Sequence, residues 1–126
     1  MTEGVPMESR LNGKYVLVVE DNYLLATGAK RVLERLGAVV FGPTGSVGDA
    51  LAIIADGAID AAVLDIELDD DVSFPIADEL MRRNIPFVFV SSAERSRVPT
   101  RFEGYRLIPK PMEIRLVVEA LFGPPH

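Results

Sequence analysis

Apolar runs of four or five residues alternate along the chain with longer segments in which apolar residues recur every three or four positions. Runs of the first kind predict short buried β-strands, and the longer periodic segments predict amphipathic α-helices. The strand-like runs cover residues 15–19, 38–41, 61–64, 87–90 and 105–109. Alternation of strands and helices indicates βα units and therefore an α/β fold with a parallel sheet.

Helical periodicity follows four of the five strands. Gly37 supplies a stop signal for the first helix, and a weaker helix is predicted over residues 47–55. Ser73 is placed to cap the third helix, with Pro75 tolerated in its first turn. The apolar stripes of the first, third and last helices are Leu25, Ala29, Val32, Leu33 and Leu36; Ile76, Ala77, Leu80 and Met81; and Ile114, Val117, Val118 and Leu121.

Three segments have no clear period. Gly42 and Pro43 are expected to close the second strand, and residues 67–71 read as an acidic loop. Residues 92–104 contain few apolar side chains and an internal proline, so we expect a mobile loop and then a short or frayed helix. We divide the chain into a flexible N-terminal extension over 1–12, one domain over 13–122 and a C-terminal tail over 123–126.

Composition narrows the function classes. The chain has 126 residues and no cysteine, which excludes disulfides and a thiol nucleophile. Its 13 basic and 19 acidic residues give a net charge of −6, which argues against a direct nucleic-acid or anionic-membrane binder. The sequence shows no signal peptide and no apolar run of the roughly 20 residues that a membrane span needs, so a cytoplasmic location is expected.

Chemically useful side chains follow four of the predicted strands. Glu20 and Asp21 follow the first, Asp65 the third, Ser91 the fourth and Lys110 the fifth. In a parallel sheet these positions share the carboxyl edge, where ligands bind in open α/β folds. Taken one at a time, each residue is explained as well by a helix cap, a turn or an exposed charge. Their joint occurrence suits a divalent cation beside a carboxylate that accepts a phosphoryl group.

A carboxylate attacks phosphorus only when the charge between the two anions is neutralised, which Mg²⁺ can do. Asp21 and Asp65 would be the side-chain ligands, with Glu20 acting through a water molecule and the Glu67 backbone carbonyl completing the shell. Lys110 would pair with the phosphoryl oxygens. In addition, the Ser91 hydroxyl would donate a hydrogen bond to one of those oxygens.

Three motifs make the chain recognisable: VVEDN at 18–22, VLDIEL at 63–68 and IPKP at 108–111. With them the chain resembles the response regulator receiver domains of two-component signalling, the group typified by the chemotaxis regulator, over roughly residues 14–121. Residues 73–90 look closest to the stand-alone regulators of alphaproteobacteria.

The resemblance implies a flavodoxin-like, doubly wound sheet of five parallel strands, order 2-1-3-4-5, with helices on both faces. It implies that Asp65 is phosphorylated by a sensor histidine kinase or histidine phosphotransfer protein, with Mg²⁺ or Mn²⁺ bound by Asp21 and Asp65. Lys110 would contact the phosphoryl group, Ser91 would be the switch hydroxyl, and the bond between Lys110 and Pro111 would be cis. Such a domain hydrolyses its own acyl phosphate but is not a turnover enzyme.

The chain departs from the family pattern at two switch positions. Ser91 stands where many relatives have threonine, and Leu107 stands where many have the switch aromatic. Tyr105, two residues earlier on the same predicted strand face, is the candidate substitute. The output would run through a surface to a downstream protein or, in a homodimer, to a second copy, with these residues included: Arg101, Phe102, Tyr105, Arg106, Glu113 and Leu116.

Phosphorylation would switch that surface, or the protein would act as a phosphate relay or sink. One alternative is a phosphatase or phosphotransferase with an aspartyl nucleophile, although that class needs Asp-x-Asp after its first strand and here Glu67 holds the third position. A flavodoxin-like flavin or nucleotide module is disfavoured by the acids at 20–21. The chain could also be a receiver from a larger hybrid kinase. Glu67 and Ala93 are expected to flank the path of an attacking water.

Overall fold

The computed structural model describes residues 11–68, 71–91, 98–110 and 112–122, which form a central parallel sheet flanked by helices on both faces. In chain order the elements are β1 (Tyr15–Val19), α1 (Tyr23–Arg35), β2 (Val39–Thr44), α2 (Val47–Ala55), β3 (Ala61–Asp65), β4 (Glu67–Leu68), β5 (Asp71–Val72), α3 (Phe74–Arg82), β6 (Phe87–Ser91), a 3₁₀ turn (Thr100–Phe102), β7 (Leu107–Pro109) and α4 (Ile114–Phe122).

The main sheet has the strand order β2-β1-β3-β6-β7, and all of its strand pairs are parallel. This confirms the predicted order 2-1-3-4-5 of a doubly wound fold. From β1 the chain first builds outward to β2 and then crosses back to place β3 on the other side of β1. The carboxyl ends of β1 and β3 therefore border the crevice where such folds bind their ligands.

Alternation of side chains along the strands divides the core into two layers. In β1, Leu17 contributes to one buried cluster, whereas Val16 contributes to the other. The first cluster includes Ile54 of α2 and Leu80 of α3, and the second includes Leu33 of α1, with α4 on that face as well. Both faces of the sheet are thus buried, which explains why its central strands read as continuous apolar runs.

Local signals fix the first two helices. The Asn22 side chain caps α1 by accepting a hydrogen bond from the Leu25 N–H at 3.1 Å, and Ser46 caps α2 by accepting one from the Asp49 N–H, also at 3.1 Å. Gly37 follows α1 with φ +102°, a conformation that L side chains rarely adopt. The predicted helix over 47–55 coincides with α2.

The expected end of the second strand at Gly42 and Pro43 was wrong. Strand β2 continues to Thr44, with an irregular register opposite β1 and a cis bond between Gly42 and Pro43. This is physically allowed because β2 is an edge strand, where the missing N–H of a proline removes no ladder hydrogen bond. Gly42 adopts φ +86°, which suits the bulged backbone.

The acidic segment predicted as a loop contributes to two short strands. Its described residues form a short antiparallel ribbon in which Glu67 pairs with Val72 and Leu68 with Asp71. Ser73 does precede α3, but its side chain makes no capping hydrogen bond and its hydroxyl is buried without a partner among the described residues.

The segment after β6 is described only from residue 98 onward, so the loop expected over 92–97 and the position of Ala93 lie outside the described residues. A 3₁₀ turn stands where a short or frayed helix was predicted. Phe102, which the sequence placed on the output surface, is completely buried in the first cluster. Strand β7 begins at Leu107 rather than at Tyr105.

Leu11, the first described residue, is buried in the second cluster although the sequence assigned it to the flexible extension. Residues 1–10 and 123–126 lie outside the described part, as does the predicted cis bond to Pro111. No helix among the described residues is long and apolar enough to cross a membrane.

Candidate functional site

Three carboxylates meet at the carboxyl edge of the sheet. Glu20 and Asp21 directly follow β1, and Asp65 ends β3, whose neighbour in the sheet is β1. One oxygen atom from each of the three lies within 4.8 Å of the others. The convergence that the sequence predicted is therefore present in the structure, and it results from the parallel pairing of the two strands.

Backbone contacts hold the acidic pair in place. The Glu20 N–H donates to the Thr44 carbonyl at 2.9 Å, which ties the end of β1 to β2. The Glu20 carboxylate accepts a hydrogen bond from the Asn22 N–H at 3.1 Å. Asn22 also caps α1, so the start of that helix and the position of Glu20 are set by the same three-residue turn.

Lys110 contributes an ammonium group to the cluster. Its Nζ lies 3.1 Å from Asp65 Oδ2 and 3.3 Å from Glu20 Oε1. Burial alone would lower the pKa of Lys110, but the hydrogen bond to Asp65 and the nearby negative charges outweigh it and raise the pKa above its usual value. Lys110 therefore stays charged at physiological pH.

Ser91 ends β6 and is buried, with 2% of its surface exposed. Its hydroxyl donates a hydrogen bond of 3.0 Å to Glu67 Oε1, and its carbonyl accepts one of 3.2 Å from the Lys110 N–H. Ser91 thus connects the β4–β5 ribbon to the lysine at the end of β7. The sequence predicted the backbone carbonyl of Glu67 as a metal ligand and placed Glu67 beside the path of an attacking water. No local pattern pointed to the contact between the Glu67 side chain and Ser91.

Asp65 is a buried carboxyl group with a raised pKa. Only 3% of its surface is exposed, and Oδ1 is buried with no hydrogen-bond partner among the described residues. Burial raises the pKa of Asp65 to about 7, the negative charge of Glu20 adds to that effect, and the hydrogen bond from Lys110 opposes it. One of its oxygens is thus paired with the lysine, and the hydrogen-bonding capacity of the other is left unsatisfied within the described part of the chain.

The carboxylates border an open cleft of about 600 Å³, lined by Glu20, Asp21, Asn22, Leu25, Asp65, Glu67, Leu68 and Lys110. Clustered carboxylate oxygens are the donors that hard divalent cations such as Mg²⁺ prefer. Asp65 contributes one carboxylate oxygen to this cluster, together with one each from Glu20 and Asp21. Gly45 leaves room for Asp21, because a Cβ atom at this position would lie 2.6 Å from the Asp21 Cβ. The residues present therefore fit a divalent cation.

The two candidate switch residues near β7 lie apart from the cleft lining. Tyr105 is partly buried and stacks on Phe87, with 4.4 Å between the ring centroids. Leu107 is also partly buried and packs against the first core cluster. Tyr105 precedes β7, but it packs against the same core cluster as Leu107, which agrees with the prediction that the two residues share a face. Its role as a substitute aromatic stays a prediction.

Comparisons with known proteins agree with this fold. The solution structure of SdrG from Sphingomonas melonis is similar to the chain at 37% identity with a TM-score of 0.75, over 86% of this chain and 93% of that one. A Burkholderia pseudomallei response regulator with a phosphorylated aspartic acid, a calcium ion and citrate has a TM-score of 0.76 at 22% identity, over 86% and 66% of the two chains, which supports the fold alone.

Among curated proteins, the sensory transduction protein LytT of Bacillus cereus is 34% identical over 110 residues, which are 84% of this chain and 45% of LytT. The chain therefore spans about half the length of the curated relatives it matches. No family model matches the chain. The identity to SdrG over nearly its whole length, together with the strand order and the acidic cluster beside Lys110, shows that the chain belongs to the response regulator receiver family.

Proposed function

We propose that the chain is a phospho-accepting receiver of a two-component phosphorelay and that Asp65 is its phosphorylation site. One observation carries the proposal. Asp65 is buried at the edge of the cleft with one oxygen on Lys110, while the other has no hydrogen-bond partner among the described residues. A carboxylate that served only in packing would be expected to have both oxygens satisfied.

The donor would be a phosphohistidine of a sensor kinase or of a histidine phosphotransfer protein. An Asp65 oxygen attacks the phosphorus atom, the bond between phosphorus and the imidazole nitrogen breaks, and the nitrogen keeps the electron pair and later binds a proton. The Lys110 ammonium, already 3.1 Å from Asp65, is placed to neutralise the phosphoryl oxygens.

Mg²⁺ or Mn²⁺ would be bound by the Asp21 and Asp65 carboxylates and the Glu67 backbone carbonyl, with Glu20 acting through a water molecule. The ion, when bound, supplies positive charge between the attacking carboxylate and the anionic phosphoryl group. The Burkholderia pseudomallei protein of similar fold carries a phosphorylated aspartic acid and a calcium ion, the same combination of groups.

The phosphoryl group would bring roughly −1.5 to −2 charges into a cleft that Lys110 lines, and it would attract the Ser91 hydroxyl, which donates to Glu67 of the same lining. Because the Ser91 carbonyl accepts a hydrogen bond from the Lys110 N–H, a displacement of Ser91 is transmitted to the end of β7. That displacement would change a surface recognised by a downstream protein, or the phosphoryl group would simply pass on in a relay or be lost in a sink. In either case the activity is that of a signalling protein and not of a turnover enzyme.

Intact mass spectrometry after incubation with a small phosphodonor tests the proposal. Acetyl phosphate and phosphoramidate would each be used with and without Mg²⁺ on the wild type, Asp65→Asn and Asp71→Asn. The last variant is a matched control, because it removes an exposed carboxylate from the β4–β5 ribbon. We expect one phosphoryl group on the wild type and the control, only with Mg²⁺, and none on Asp65→Asn. An adduct that persists in Asp65→Asn, or none on the wild type with either donor, would contradict the assignment.

A further inference from the structure

We propose that the Glu67 carboxylate competes with a phosphoryl group on Asp65 for the hydrogen bond of the Ser91 hydroxyl. The phosphoryl group must displace Glu67 from that hydroxyl; this rests on the proposed function. In the structure the hydroxyl donates its hydrogen bond to Glu67 Oε1 at 3.0 Å. A serine hydroxyl carries a single proton. It therefore cannot donate to Glu67 and to a phosphoryl oxygen at the same time.

The ribbon after β3 places Glu67 where it can compete. The Ser73 N–H donates to the Ile66 carbonyl at 3.0 Å, which closes the base of the ribbon, and Glu67 pairs with Val72 across it. Glu67 itself lines the cleft together with Asp65. The carboxylate therefore reaches Ser91 from an element anchored directly after the phosphorylation site.

Electrostatics makes the competition directional. The cleft is lined by four carboxylates and a single ammonium group, so its charge is strongly negative before any ligand binds. A phosphoryl group on Asp65 would add negative charge to the cleft that Glu67 also lines, and like charges repel. The phosphoryl group would thus both repel Glu67 and attract the hydroxyl that Glu67 releases.

Removal of the Glu67 carboxylate should therefore increase the affinity for a phosphoryl mimic. Most of this increase should depend on the presence of the Ser91 hydroxyl. A hydrogen bond to a charged group is among the stronger ones in proteins, so we expect a gain of about tenfold for Glu67→Ala. In a Ser91→Ala background no hydroxyl is contested, and only the repulsion between charges remains. The gain should then fall to about threefold or less.

The probe is beryllofluoride at saturating Mg²⁺, with dissociation constants measured by NMR titration on the wild type, Glu67→Ala, Ser91→Ala and the double variant. Glu34→Ala is the matched control. It removes a carboxylate that pairs with Lys30 on the exposed side of α1, some twelve residues or roughly 18 Å along the helix from Asn22. This control should leave the affinity unchanged within twofold. Equal gains from Glu67→Ala with and without Ser91, or no gain, would overturn the proposal.

A second measurement needs neither metal nor phosphoryl mimic. The Hα–Hβ couplings of Ser91 in the metal-free protein should differ between the wild type and Glu67→Ala, because loss of the acceptor at Glu67 changes the χ1 rotamer population. Unchanged couplings together with normal beryllofluoride binding would overturn the competition alone. Failure of beryllofluoride to bind the wild type would overturn the proposed function and with it the competition.

Discussion

At the scale of single residues, Asp65 combines burial with a neighbouring carboxylate, and burial is the larger cause of its raised pKa of about 7 against 3.8 for the free group. An acid whose pKa is higher in the folded state binds its proton more tightly there. The folded state therefore loses stability as the pH rises from about 4 to about 7. In the metal-free protein, the contribution of Asp65 to the free energy of unfolding should therefore be lowest above pH 7.

Asp65→Asn should remove this dependence, since the amide has the same shape and no charge. We expect the variant to be more stable than the metal-free wild type at pH 8 by on the order of 2 kcal/mol, and by much less near pH 4. Urea denaturation in the presence of a chelator at both pH values measures the difference. Asp71→Asn, which removes an exposed carboxylate, is the control. A pH-independent gain would show that Asp65 is already ionised at pH 4.

Gly45 determines where Asp21 can lie. A Cβ atom at this position would stand 2.6 Å from the Asp21 Cβ and 2.9 Å from its Cα, so the turn after β2 or the acidic pair must shift in Gly45→Ala. We expect Mg²⁺ affinity to fall about tenfold in this variant while the fold is kept. Calorimetric titration with Mg²⁺ measures the loss.

Gly48→Ala is the matched control for that experiment. Gly48 lies in the first turn of α2, and an added Cβ would meet only the Ser46 hydroxyl at 3.8 Å. The control should bind Mg²⁺ as the wild type does and gain a few tenths of a kcal/mol in stability, because alanine is the better helix residue. Unchanged Mg²⁺ affinity in Gly45→Ala would show that the acidic pair does not depend on this close approach.

At the scale of elements, the sequence predicted those parts whose local pattern and burial agree. The central strands were predicted because both faces of the sheet are covered, so their residues are apolar up to Asp65 and Ser91 at the ends of β3 and β6. Helix α2 was predicted at its observed bounds, and the structure adds Ser46 as its cap. The sequence also predicted the four strands whose carboxyl ends carry the reactive side chains, because parallel pairing brings all carboxyl ends to one edge of the sheet.

The elements that were missed depend on contacts that no local pattern encodes. The last residues of β2 include Pro43, which is tolerated only because that strand lies at the edge of the sheet. The β4–β5 ribbon has two residues in each strand and no alternation long enough to detect. The hydrogen bond between Ser91 and Glu67 joins residues 24 positions apart, so it follows from tertiary structure alone.

Phe102 shows how a short irregular element can contribute strongly to stability. It lies in a three-residue 3₁₀ turn, yet its ring contacts Phe74, Phe87 and Phe89 with centroid distances of 5.3 to 6.4 Å. We expect Phe102→Ala to reduce the free energy of unfolding by about 3–5 kcal/mol through loss of burial and a new cavity. Urea denaturation provides the measurement.

Arg101→Ala tests whether the turn is held by its surface ion pair instead. Arg101 binds Asp78 of α3 at 2.8 Å, but both side chains are about half exposed, so the variant should lose less than about 1 kcal/mol. A larger loss in Arg101→Ala than in Phe102→Ala would mean that the ion pair, and not the aromatic cluster, fixes this segment against α3.

At the scale of the whole molecule, the site exists only when distant parts of the chain are folded together. Glu20 and Asp21 follow β1 and Asp65 ends β3, 44 to 45 positions later, with α1, β2 and α2 formed by the chain between those paired strands. An unfolded chain therefore has no preformed cluster of carboxylates. A cation that binds the cluster binds the folded state alone and stabilises it by mass action.

Mg²⁺ should consequently raise the melting temperature in proportion to the logarithm of its concentration once it exceeds the dissociation constant. At a hundred times that constant the gain is about 2.7 kcal/mol, which for a domain of this size corresponds to a rise of several degrees. The cation also favours the ionised form of Asp65, so the rise in melting temperature should be larger at pH 8 than at pH 5, where a proton competes for the carboxylate.

Differential scanning calorimetry at both pH values measures how the melting temperature depends on Mg²⁺. Asp21→Asn lacks one of the proposed ligands, and Asp71→Asn is the control. If Asp21→Asn showed the same rise as the wild type and Asp71→Asn, the stabilising ion would have to bind outside the cleft.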